Sequence, residues 1–168
     1  MIKLLKITAI LTSFIFASTS NNVYNPSIKY VMDYDQNTTC LVRHIKVAKN
    51  PKWISKIVIR NGKTLFFSSP KSMFEFYHRP GKWFDIGVKS ERDFSKIVVT
   101  DYITQEPINA ETAFYIYGSR ATSPAGDDLV AIGSKDEAEK FSKQNNGKRV
   151  LKFDEVHDSL IKLLNGRI

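Results

Sequence analysis

Cysteine is almost missing from this 168-residue chain. Cys40 is the only one, so no internal disulfide can form and no Cys-x-x-Cys redox or zinc pair exists. Histidine and methionine are scarce too, at three each. The chain has no Gly-x-Ser-x-Gly elbow, no phosphate-binding Gly-x-x-x-x-Gly-Lys loop and no His-Glu-x-x-His pair. That removes the common signatures of serine hydrolases, nucleotide hydrolases and zinc proteases. Long apolar runs are lacking: the best, Ile7–Phe16, is too short to cross a bilayer as a mature helix. Clustered charge is lacking as well. The net charge is +8, but the surplus lysines and arginines are dispersed, and Asp and Glu interleave with them from Asp85 onward. Such dispersal favours solubility and mild attraction to anionic surfaces. It does not make the one-sided basic stripe of a nucleic-acid binder. With 42% hydrophobic and 25% charged residues, the chain has the composition of a folded domain, not of a disordered tail.

Residues 1–17 (MIKLLKITAILTSFIFA) read as a secretory signal peptide. Lys3 and Lys6 give a positive start, Ile7–Phe16 a short apolar run, and Ala17 a cleavage site. The alternatives are an uncleaved anchor or a buried core helix. No cysteine follows the run closely, so a lipid anchor on cysteine is unavailable. The expectation is a soluble protein outside the cytoplasm, most simply periplasmic, with no stable membrane span after cleavage. A lone thiol kept there is either buried and inert or a metal ligand or redox group.

Residues 18–39 read as a polar arm with a short strand at Ile28–Met32. Cys40–Val47 is a strand or a turn leading into one, broken by Asn50-Pro51. Asn61-Gly62 between Ile54–Arg60 and Thr64–Phe67 is a strong β-hairpin signal. Ser69-Pro70 then opens a helix, as N-cap and first helical residue. Met73, Phe76 and Tyr77 share one face of that helix and Phe74 and His78 another; Arg79-Pro80-Gly81 ends it. A strand runs from Ile97 towards Tyr102.

The second half predicts a helical turn at 110–113, a strand Phe114–Tyr117, a loop Gly118–Asp128 and a strand Leu129–Ile132. Ser134-Lys135-Asp136-Glu137 is a capping box opening a helix to Lys143, with Ala138 and Phe141 inward. A strand Arg149–Phe153 and a helix Val156–Leu164 follow. With an offset of 65, Phe67 aligns with Ile132, Ser69 with Ser134, Met73 with Ala138 and Phe76 with Phe141. The fold class expected is therefore α+β: two similar ββαβ-like modules packed together, at 40–105 and at 106–168, the latter carrying the C-terminal helix. Each alone would bury too little surface to stand by itself.

From Cys40 to about Glu155 the sequence resembles the NosL family of nitrous oxide reductase accessory proteins. The resemblance lies in Cys40–Val47, Asn50-Pro51-Lys52-Trp53, Asn61-Gly62-Lys63 with Phe66-Phe67, Lys71–Tyr77 (KSMFEFY), and Tyr117-Gly118-Ser119 through Val150–Glu155. It implies a NosL/organomercurial lyase-like fold and a periplasmic, non-enzymatic copper carrier supplying Cu(I). The partners implied are nitrous oxide reductase or other copper-handling accessory proteins. The family opens with Cys-x-x-Cys-Gly-Met; here Arg43 stands at the second cysteine and Ile45 at the methionine. In the family's later Gly-Pro-Met-Gly-like loop, Ala125 replaces the methionine, and Asp127 the histidine that often follows.

Cu(I) takes thiolate, thioether and imidazole in low coordination number. Cys40 is the expected principal metal ligand, with His44 or Met32 auxiliary. In an extended strand Cys40 and His44 would sit about 13 Å apart, too far to share an ion. In a helical turn the separation is about 6 Å, and they can chelate. Met73 reads as core, His78 as a helix-end cation, and His157 as surface. Asp101, Asp154 and Glu155 read as turn-holding carboxylates. A rival reading keeps the fold without copper and acts by protein contact. A third, an organomercurial lyase-like enzyme, lacks a second activated thiol.

Overall fold

The computed structural model describes residues 29–167. The signal peptide expected at 1–17, and the arm up to residue 28, lie outside the described residues. Among the described residues, no helix is long and apolar enough to cross a membrane.

The Asn61-Gly62 turn closes the expected hairpin between β1 (Ser55–Ile59) and β2 (Thr64–Phe67), with Gly62 in the left-handed region that this turn demands. Helix α1 (Pro70–His78) starts where the sequence places it: the Ser69 side chain accepts from the Ser72 amide, and Pro70 holds the first position. β3 (Phe94–Thr100) pairs antiparallel to β1, and a short β4 (Pro107–Asn109) adds to its far side, giving the sheet order β2-β1-β3-β4. The second half repeats the plan. β5 (Phe114–Ser123) and β6 (Gly126–Ile132) form a hairpin, α2 (Lys135–Gln144) follows, and β7 (Arg149–Leu151) pairs with β5 in a sheet ordered β6-β5-β7. Helix α3 (Asp158–Leu164) closes the chain. The class is α+β with two antiparallel sheets, as the sequence led one to expect. Strand, strand, helix, strand occurs twice, and α1 and α2 begin 65 residues apart.

Two expectations about strands and loops are corrected. Residues 29–32 form no strand. The loop expected at 118–128 is nearly all strand: β5 and β6 run on to a tight turn at Pro124-Ala125, with a register shift between Tyr117 and Thr122. Small residues there signalled a loop, but cross-strand pairing overrides a weak local propensity. β4 was not foreseen; three residues are too few for an alternation to register.

Register explains the layers. Ile57 pairs with Leu65 and Ile97, and Ser55 with Phe67 and Val99, so these side chains share the inner face of the first sheet. In the second sheet Tyr115 pairs with Ala131 and Leu151, and Tyr117 with Leu129. Both sets join one core, and α1 lies between them. Its Phe76 packs on Phe67, Trp83 and Phe94, and its Phe74 on Tyr115 and Phe153. Every residue from Pro70 to Phe76 is buried. On the outer face of the second sheet, Ile116, Val130 and Ile132 form a smaller cluster with Ala138 of α2 and with Trp53. On the outer face of the first, Asp33 of the arm pairs with Lys56.

His78 departs from the helix-end cation expected of it. Its ring stacks on Phe74, 5.9 Å between centroids, and its Nε2 lies 2.8 Å from the Val156 carbonyl. A carbonyl only accepts, so Nε2 carries the proton. Burial pushes the imidazole below its ordinary 6.5, and the fold holds it neutral. As pH falls through 6.5, the unfolded chain takes up a proton that the folded chain refuses, so stability declines with acidification. Urea denaturation should show the midpoint dropping between about pH 7.5 and 5.5, above the range where carboxylates titrate. His78→Phe, which keeps the stacking, should flatten that slope; an unchanged slope would assign it to another group.

Candidate metal centre

Cys40 lies in a turn. The Cys40 carbonyl accepts from the His44 amide at 2.9 Å, the Cys40 amide donates to Ile45, and the Leu41 amide donates to Phe66 of β2. His44 sits at φ 57°, in the left-handed region, which lets the chain reverse into the bridge between Thr39 and Lys46. Of the two conformations open to Cys40–Val47, the chain thus takes the compact one. The thiol points inward: Cys40 is 0% exposed, and its Sγ accepts the Arg43 amide at 3.3 Å. His44 is exposed, and Met32 is half-buried against the main core. Among the described residues no three His, Cys, Asp or Glu side chains converge as a metal cluster.

Arg43 is firmly held. Its Nη2 donates to Glu75 Oε2 at 2.9 Å and to Asn165 Oδ1 at 2.7 Å, and its Nε donates to Ser72 Oγ at 3.3 Å. Glu75 is buried in α1. Its Oε2 also accepts from Asn165 Nδ2, and its Oε1 accepts from Arg167 at 2.8 Å. One carboxylate therefore binds two guanidinium groups from distant parts of the chain.

The turn carrying Ala125 reaches the same helix from the other side. Lys71 Nζ donates to the Ala125 carbonyl at 2.7 Å and to the Leu164 carbonyl at 3.3 Å. Asp128 Oδ1 accepts from the Lys71 and Leu129 amides, and its Oδ2 accepts the Ser123 hydroxyl at 2.6 Å. Burial raises the Asp128 carboxyl above its usual range, outweighing the hydrogen bonds it accepts, and lowers the Lys71 ammonium, outweighing the attraction of Asp128. Ser69 donates to Ser72, the residue that also receives Arg43. The first turn of α1 thus connects the Cys40 turn to the Ala125 turn through hydroxyls and fixed cations.

Sequence reasoning singled out neither Glu75 nor the Asn165–Arg167 segment. A signal existed: Lys71 and Glu75 are charges inside a helix otherwise buried on all sides, and such charges need partners. Of the three carboxylates read as turn-holders, Asp101 and Glu155 do that work, while Asp154 is exposed with no such bond among the described residues. Asp101 Oδ1 accepts from the Ile103 and Thr104 amides and its Oδ2 from Gly133, while Glu155 accepts from Lys152. Met73 is core, and His157 is exposed at the start of α3.

A family model described as NosL matches residues 30–161. No curated protein matches significantly. Among solved structures, the chain is similar to the crystal structure of the copper chaperone NosL from Shewanella denitrificans, with a TM-score of 0.67 and 20% identity. That match covers 79% of this chain and 98% of the other.

Proposed function

This chain belongs to the NosL family, and on that premise we propose that it is a non-enzymatic copper-handling protein that carries Cu(I) as cargo on Cys40. The finer reading places it outside the cytoplasm, in the maturation of nitrous oxide reductase, with that enzyme or other copper-handling accessory proteins as partners. It is supported by a family match spanning the Cys40 turn, and by the fold shared with a protein described as a copper chaperone.

The observation that carries it is the turn. A tight turn returns the His44 amide to the Cys40 carbonyl, which keeps a thiol and an imidazole in one short loop, where both can serve one ion once the thiol turns outward. The thiol faces inward and the imidazole outward, so loading needs the thiol to swing past the Arg43 amide. Met32 is the auxiliary donor if the arm supplies one. Binding through a thiolate releases a proton and weakens as pH falls.

A second reading has its own observation. Arg43 ties its guanidinium to Ser72, buried Glu75 and Asn165, so three residues after Cys40 the chain offers a fixed cation and no second soft ligand. On that reading the chain keeps the fold and acts by protein contact alone.

A Cu(I) titration of residues 18–168 against a competing chelator, at two pH values and with Cys40→Ser, tests both. Tight one-to-one binding that is weaker at the lower pH and lost in the variant supports the carrier. Absence of binding leaves the copper-free protein. Binding that survives the substitution moves the site to His44, Met32 and the other histidines and methionines.

A further inference from the structure

The Glu75 cluster ties three separated parts of the chain together. Arg43 comes from the Cys40 turn, Glu75 from the buried helix α1, and Asn165 and Arg167 from the segment that ends α3. Arg43 has a second tie: its main-chain amide is the donor to the Cys40 thiol. Turning that thiol towards solvent breaks this bond, and opening of the turn is resisted because the Arg43 guanidinium is anchored on Ser72, Glu75 and Asn165. The anchor does not rest on Arg43 and Glu75 alone. Asn165 bridges both, accepting from one and donating to the other, and Arg167 holds the opposite carboxylate oxygen.

We propose that Glu75, Asn165 and Arg167 are positioning residues forming a latch, which acts through Arg43 to keep the Cys40 turn closed over its thiol. The thiol becomes reachable when the 165–167 segment lets go. The latch gives access to Cys40 an address on the far end of the chain, where a docking partner can compete for Arg167, whose side chain is 45% exposed. Its purpose rests on the reading of Cys40 as the cargo ligand; its existence does not.

Because Cys40 is the only cysteine, labelling by a thiol-reactive disulfide reports on it alone, without any metal. Slow labelling that samples a local opening measures the free energy of that opening. Loss of a charge-assisted hydrogen bond from the closed state should accelerate it roughly tenfold in Glu75→Gln, and by a smaller factor in Asn165→Ala and Arg167→Gln. Salt supplies the readout that a merely structural defect would not move. Raising ionic strength screens the half-exposed Arg167–Glu75 pair, so wild-type labelling should speed up, and this dependence should shrink in Arg167→Gln. Arg43→Lys, which keeps the charge without the planar fork, should fall between wild type and Glu75→Gln.

Rates within about twofold of wild type in all three latch variants, each with a native circular dichroism spectrum, would overturn the latch. So would equal salt dependence in wild type and Arg167→Gln. If Glu75→Gln does not fold, the two exposed-segment variants decide the question. A failed copper titration with accelerated labelling would sink the carrier reading and keep the latch, so the two failures are distinguishable.

Discussion

Phe74→Ala is expected to remove a large part of the stability of the folded protein. Phe74 is fully buried and is the point where α1 meets the second half of the chain. Its ring lies 5.1 Å from Tyr115, 4.9 Å from Phe153, 6.2 Å from Tyr77 and 5.9 Å from His78, centroid to centroid. Truncating a buried phenylalanine costs about 3–5 kcal/mol, from the lost transfer energy and the cavity left behind. Domains of this kind are stable by about 5–15 kcal/mol in all. The surroundings cannot collapse readily, because α1 is held by a sheet on each side. Guanidinium denaturation should show the midpoint falling by a large fraction, with the slope unchanged. Phe76→Ala contacts only the first sheet's side and should cost a similar amount. A loss below about 1 kcal/mol for Phe74→Ala would mean that the two halves are not joined through this ring.

Asp128→Ala should rank next, by a different mechanism. The carboxyl accepts from the amides of Lys71 and Leu129 and from the Ser123 hydroxyl, in a site closed to water. Removal orphans those donors, and each buried unsatisfied group costs about 1–3 kcal/mol. It also leaves the Lys71 ammonium with two carbonyls and without its strongest anionic neighbour. The expected total is about 3–5 kcal/mol. Asp128→Asn separates the two contributions. Its amide oxygen can serve both main-chain donors, and the Ser123 hydroxyl can turn to accept from its nitrogen. Since burial already raises the carboxyl towards its neutral form, the asparagine should cost far less than the alanine. Equal losses in urea denaturation would show instead that the charge facing Lys71 matters most.

Much of this fold was legible because local chemistry and tertiary packing agree. Asn61-Gly62 demands a turn that the flanking β-branched runs can use, and Ser69-Pro70 offers both a cap and a first helical residue. The repeat could be read because each hairpin leads into its helix through a serine at the same offset. What escaped lay where a partner distant in sequence decides. Ser119, Arg120 and Ala121 continue a strand because β6 and the turn before β7 lie alongside, with the Arg120 amide donating to the Asn145 carbonyl. β4 exists because β3 offers an edge. The site divides the same way. The sequence could say that only a turn would let Cys40 and His44 share an ion; the chain takes a turn there, with the thiol buried and the imidazole exposed. It could not say that residues from about 90 to 122 positions away would hold Arg43 and Glu75. No periodicity encodes such a meeting, which follows from where α3 ends.

Enclosure of α1 between the two sheets bears on the order in which the chain can mature. Residues up to 100 supply three of the four strands of the first sheet and the helix, but the face bearing Phe74 stays uncovered until β5, β6 and the turn at Phe153 have been added. A nascent or partly threaded chain therefore exposes a band of aromatic surface for more than fifty residues of synthesis. Intermediates with such surface attract one another, and contacts of this sequence separation form slowly. A fragment ending near residue 105 should be insoluble or captured by holding chaperones, while the full chain is not. Translation that pauses inside the second hairpin would lengthen the vulnerable interval more than a pause at any point after β7.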